Sequence, residues 1–118
     1  MEDPKLEFLR GTLDVLILKA LVWGPQHGYG IAGLIRRQSD DALLLEEGTL
    51  YPALWRLESK KLVVAEWGLS ENNRRAKFYQ LTPSGRRHLR DGTKTWEAYA
   101  RAVSKVLGSV QPPEEETA

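Results

Sequence analysis

Two groups of residues in this sequence have the types and spacing to do chemistry. Arg56 and Lys60 stand four apart, with Thr49, Tyr51, Pro52 and Ser59 close around them, and Arg74, Arg75 and Lys77 follow a short distance on. Guanidinium and ammonium groups neutralise phosphates or reach guanine acceptors, and hydroxyls donate to phosphate oxygens. From Gly48 to Arg90 there are nine basic residues against three acidic ones, a local balance of +6 in a chain whose net charge is +1. That asymmetry suits a polyanion partner, although a merely solvated basic face would show it too.

Other chemistry is poorly supplied. The chain has no cysteine, which excludes disulfides, thiolate metal sites and cysteine nucleophiles. Its two histidines, His27 and His88, have no candidate nucleophile and acid beside them, so no triad or histidine-rich metal site is expected. Gly28-Tyr29-Gly30-Ile31-Ala32-Gly33 matches the dinucleotide fingerprint, but a helix and a Gly-Pro break precede it where a strand is required. Asp40-Asp41 and Glu46-Glu47 read as solvated loop charge. No enzymatic activity, cofactor or metal follows from this inventory.

The elements that position the basic residues can be read in turn. With 118 residues, 42% hydrophobic and 28% charged, the chain has the make-up of one soluble domain. Its longest charge-free run, Ala20 to Ile35, is broken by glycines and a proline and too short to span a membrane. The opening Met-Glu-Asp-Pro-Lys does not resemble a signal peptide, so a cytoplasmic protein is expected. Leu9, Leu13, Leu16, Ile17, Ala20 and Leu21 define one face of a first helix, for which Thr12 can serve as cap and Gly24-Pro25 as terminator. A second helix fits Tyr29 to Gln38, burying Ile31, Leu34 and Ile35. A third starts with Thr49 as N-cap and Pro52 in its first turn. It turns Leu50, Ala53, Leu54 and Leu57 inward, and Pro52, Trp55, Arg56 and Ser59 outward.

Residues 62–67 and 77–82 then read as a β-hairpin whose connecting loop, 68–76, has a basic tip. Thr82-Pro83 starts a last helix that runs toward Val110, about 40 Å long at 1.5 Å per residue. It carries a seven-residue repeat, Leu89, Trp96, Val103 and Val110 in one register and Gly92, Tyr99 and Val106 in the other. Such spacing packs on another long helix, in a second chain or within the same one. The domain division expected is 1–82 for DNA binding, 83–110 for dimerisation and 111–118 as a disordered acidic tail. The fold class is mainly α with a small β-hairpin, a winged helix-turn-helix with a long C-terminal dimerisation helix.

Three strings sharpen this reading: Gly28-Tyr29-Gly30-Ile31; Gly48-Thr49-Leu50-Tyr51-Pro52-Ala53-Leu54 with Arg56-Leu57-Glu58; and Arg74-Arg75-Ala76-Lys77-Phe78-Tyr79-Gln80-Leu81-Thr82-Pro83-Ser84-Gly85. Together they resemble the PadR family of bacterial transcriptional regulators, over about residues 10–107, and the short chain resembles its small subclass with a single C-terminal helix. The wing Ser70 to Arg75 further resembles an acidobacterial branch. The resemblance implies a sequence-specific DNA-binding regulator, a homodimeric repressor on an inverted-repeat operator near its own gene.

Carried over by position, Tyr29, Tyr51, Arg56, Arg74, Arg75 and Lys77 are expected at double-stranded DNA, and Thr49, Pro52, Ser59 and Lys60 join them as their neighbours on the third helix. Leu89, Gly92, Trp96, Tyr99, Val103 and Val106 are expected at the dimer interface. Trp55 stands where the family often has tyrosine; it can meet thymine methyls or simply cover the helix flank. The resemblance also implies that Trp96 could stack on a small aromatic effector, the alternative being dimer packing alone. From a different class comes a winged-helix protein-interaction module docking an acidic partner. The doublet Arg74-Arg75 beside Lys77 suits paired phosphate strands better than a compact acidic patch.

Overall fold

The computed structural model describes Phe8, residues 11–112 and Glu114. Leu9, placed by the periodicity on the first helical face, lies outside the described residues, as do Glu115 and Glu116 of the acidic tail. The order of elements is α1 (Thr12–Ala20), β1 (Gln26–His27), α2 (Gly28–Gln38), α3 (Glu47–Ser59), β2 (Val63–Leu69), β3 (Arg75–Leu81) and α4 (Pro83–Leu107). This is a winged helix-turn-helix, three helices and a hairpin followed by one long helix.

Several boundaries differ from the sequence expectation, each for a local reason. Gly11, at φ 86°, takes the N-cap position of α1, so Thr12 is the first helical residue and not the cap. α3 starts two residues before Thr49, because the carbonyl of Glu46 already accepts from the amides of Thr49 and Leu50 at 3.0 and 2.9 Å. Thr49 therefore lies in the first turn, and Pro52 sits inside the helix. Having no N–H, Pro52 leaves the Gly48 carbonyl without its usual helical donor. The strands run further toward the tip than residues 62–67 and 77–82, shortening the loop to residues 70–74. The Ser70 amide donates to the Arg74 carbonyl at 2.8 Å, and Asn73 takes the left-handed conformation at φ 60°. α4 stops at Leu107, short of Val110.

A third strand was not anticipated. Residues 26–27 pair antiparallel with β3, giving the order β1-β3-β2 with Gln26 opposite Tyr79 and Val63 opposite Leu81. Two residues are too few to display the alternation by which strands are recognised. The same short strand delivers His27 as the N-cap of α2, its Nδ1 accepting from the Gly30 amide at 2.9 Å.

α3 ends in a Schellman arrangement. The Leu62 amide donates to the Leu57 carbonyl and that of Lys61 to Glu58, with Lys61 left-handed at φ 60°. This closure brings the chain directly from α3 into β2. The core gathers Ile17, Leu18 and Leu21 of α1, Ile31 and Ile35 of α2, Leu50, Ala53, Leu54 and Leu57 of α3, and Val63, Tyr79 and Leu81 of the sheet. Every inward residue expected of α3 is thus fully enclosed. In α2, Ile31 and Ile35 are enclosed while Leu34 is only half-buried.

α4 begins as expected, with Thr82 as N-cap accepting from the Gly85 amide at 2.9 Å and donating to the Lys61 carbonyl at 2.8 Å. Its first half lies on α1; its second half leaves the core. The radius of gyration, 17.9 Å, exceeds the roughly 13 Å of a compact chain of this length, as a projecting helix requires.

Candidate nucleic-acid interface

α3 is sided by its burial. One stripe is locked into the core, and the opposite one presents Thr49, Tyr51, Pro52, Trp55, Ser59 and Lys60 to solvent. Trp55 is 70% exposed on this face, with Tyr51 at 47% beside it. Tyr51 is held by α2: a Cβ on Gly28 would come 2.8 Å from its hydroxyl oxygen. A side chain at position 28 would push the tyrosine ring aside. Tyr29, the next residue, is 84% exposed at the start of α2 and makes a tilted ring contact with His27.

The cations fall into two classes. Arg56 and Lys77 have carboxylate partners. The Arg56 Nη2 lies 2.8 Å from Asp14 Oδ1 on α1, and the Lys77 Nζ lies 3.0 Å from Glu58 Oε1, tying the wing to the end of α3. The hydrogen bond to Glu58 holds the Lys77 ammonium above its usual pKa against the opposing effect of burial. Tyr79 beneath is pushed up chiefly by burial, which disfavours its phenolate, with the Lys77 charge acting in the opposite direction. Arg74, Arg75 and Lys60 are exposed and, among the described residues, in no ion pair.

The wing holds a feature that the sequence reading passed over. The Arg75 guanidinium sits 4.9 Å above the ring of Trp67, which is 60% exposed, with Leu69 exposed beside it. Stacking limits the guanidinium's motion while leaving its N–H donors free at the edge. The strand period could have signalled this, since Trp67, Leu69, Arg75 and Lys77 share one face by register. The two ion pairs, by contrast, join residues 42 and 19 positions apart and leave no local signal.

The α4 residues separate likewise. Leu89 packs on the core, and Gly92 lies against Val15 of α1, where a Cβ would stand 2.6 Å from a Val15 methyl. Both thus touch α1 or the core of their own chain. Val103 is half-buried, and Trp96, Tyr99 and Val106 are exposed, the rings of Trp96 and Tyr99 lying 6.3 Å apart. Leu107 and Val110 extend the apolar stripe beyond them.

Among the described residues no three His, Asp or Glu side chains converge to hold a metal, and no helix is long and apolar enough to cross a membrane. A family model described as the transcriptional regulator PadR-like family matches residues 17–91. A transcriptional regulator of Mycobacterium tuberculosis is 34% identical over 97 residues, which cover 82% of this chain and 87% of that protein. The structure of a transcriptional regulator from Clostridium thermocellum superposes with a TM-score of 0.74 at 32% identity, covering 81% of this chain and 93% of the other. A PadR family transcription regulator from Clostridium difficile does so with a TM-score of 0.69 at 33% identity, covering 80% and 97%.

Proposed function

The chain belongs to the PadR-like family of transcriptional regulators, which are not enzymes, and from that premise we propose that it is a homodimeric repressor reading an inverted-repeat operator near its own gene. The observation that carries this reading is the exposed face of α3, with Tyr51, Trp55, Ser59 and Lys60, beside Arg74 and Arg75 of the wing tip, which are in no ion pair among the described residues. A buried stripe fixes the helix, so its outer face is presented as a rigid unit. α3 enters the major groove, and the wing lies on the backbone. Residues 1–82 form the DNA-binding unit in this scheme, and 83–110 the dimerisation helix.

The second copy covers the apolar stripe of α4. Trp96, Tyr99, Val106 and Leu107 are between 41% and 79% exposed in the single chain, a surface that a lone helix does not keep in water without reason. A two-fold through this contact presents two copies of α3 to half-sites about 34 Å apart, one turn of the duplex. A flat aromatic effector stacking on Trp96 in the same seam would relieve repression by altering the spacing of the two helices. Acting on DNA in this way places the protein in the cytoplasm.

The test is fluorescence anisotropy of the purified protein on its own upstream duplex and on a shuffled duplex, across a salt series. Tight, salt-sensitive binding with a large preference for the native sequence is expected. Absence of binding to either duplex at low salt would instead favour the protein-interaction module.

A further inference from the structure

Arg56, the one arginine of the recognition helix, is held by a different helix. Its Nη2 is 2.8 Å from Asp14 Oδ1, the carboxylate side chain being 20% exposed and the arginine 45%. The neighbouring residue, Val15, fills the gap left by Gly92 in α4, where no side chain would fit without displacing it. Consecutive residues of α1 therefore hold α3 through one side chain and α4 through the next. The pair Glu58–Lys77 joins α3 to β3, the second strand of the hairpin that follows it; Asp14–Arg56 joins the recognition helix to the helix that α4 rests on.

Resting on the function proposed above, we propose that Asp14 is a positioning residue of the DNA interface, aiming Arg56 and making that aim depend on how α1 packs against α4. A guanidinium has five N–H donors in a rigid fork. Asp14 engages one nitrogen, and the rest of the half-exposed group remains available to DNA. An arginine ordered beforehand loses less rotamer freedom on binding, which favours the one duplex whose acceptors match its fixed position. The carboxylate also withdraws charge from the interface, which weakens attachment to any duplex. Asp14 thus trades general affinity for discrimination.

The experiment compares Asp14→Asn with the parent on the native and shuffled duplexes across a salt series. Once the parent's own preference for the native duplex is measured, failure of the regulator reading is separated from failure of this one. Freed from its partner, Arg56 behaves as an additional mobile cation. Binding to the shuffled duplex is expected to tighten, and the slope of log K on log salt to steepen by about 0.9 per protomer. The native-to-shuffled preference should fall by about two- to twelvefold, the equivalent of one side chain no longer ordered in advance.

Glu71→Gln removes the same charge from the exposed wing and controls for electrostatics alone; equal effects of the two changes on the preference would overturn the proposal. So would a loss of preference caused by Asp14→Asn in an Arg56→Gln background. Gly92→Ala alters no charge but displaces Val15. It should lower the preference without changing the salt slope, and Val15→Ala in the same chain should restore it. An unaltered preference in a folded Gly92→Ala protein would refute the dependence on α4.

Discussion

Removing the two wing-tip arginines together, Arg74→Ala with Arg75→Ala, has a consequence that can be worked out in advance. Both are exposed and neither has a carboxylate partner among the described residues, so each carries its full charge to the DNA backbone. Every phosphate neutralised contributes about 0.9 to the slope of log K against log salt, so the pair contributes about 1.8 per protomer and about 3.6 in a dimer with both wings engaged. Between about 50 and about 200 mM salt, the wild type should therefore lose on the order of 150-fold more affinity than the variant. Anisotropy on a fixed duplex at several salt concentrations measures both slopes, and the lysine pair Arg74→Lys with Arg75→Lys should keep the wild-type slope. Equal slopes for wild type and the alanine pair would show that the wing does not touch the backbone, and the assignment of Arg74 and Arg75 would fail.

Four further outcomes follow from the fold. Gly85→Ala drives a methyl into the Leu62 carbonyl oxygen and toward Leu81; a destabilisation of about 3 kcal/mol or more is expected in chemical denaturation. Thr82→Ala removes the α4 cap and the bond to Lys61, and should cost about 1–2 kcal/mol by the same measurement. Val106→Glu places a charge in the exposed stripe of α4, and sedimentation should show the dimer shifted to monomer, with the helical circular-dichroism signal retained and the melting temperature no longer rising with protein concentration. At alkaline pH, Lys77 and Tyr79, whose folded pKa values both lie above their unfolded ones, bind more protons in the folded state. The stability they contribute is complete below about pH 10 and declines as pH rises through the folded values. Titrating denaturation midpoints for the wild type and Tyr79→Phe should show the loss reduced in the variant.

Legibility in the sequence followed the range of the interaction. The inward stripe Leu50, Ala53, Leu54, Leu57 could be read because helical period alone decides it, and the Thr82-Pro83 start of α4 because cap and proline are adjacent. Thr49 misled for a related reason: it is a good capping residue placed where the backbone had already begun to coil, two residues after Glu46–Glu47. β1 is not legible locally because its existence depends on β3, whose pairing residues Phe78 and Tyr79 lie far along the chain. The charges of Arg56 and Lys77 were visible, but their partners Asp14 and Glu58 were not, and this changes which cations are free. The heptad on α4 likewise concealed a division of labour. Leu89 and Gly92 serve the chain's own core and α1, while Trp96, Tyr99 and Val106 face outward.

The central claim, that two copies of α3 and its wing address one duplex, is tested most directly by hydroxyl-radical footprinting on the upstream DNA. The account predicts two protected patches on one face of the helix, about 34 Å apart centre to centre and lost together in the Val106→Glu protein. A single patch unaffected by that substitution, or uniform protection along the whole duplex, would contradict it.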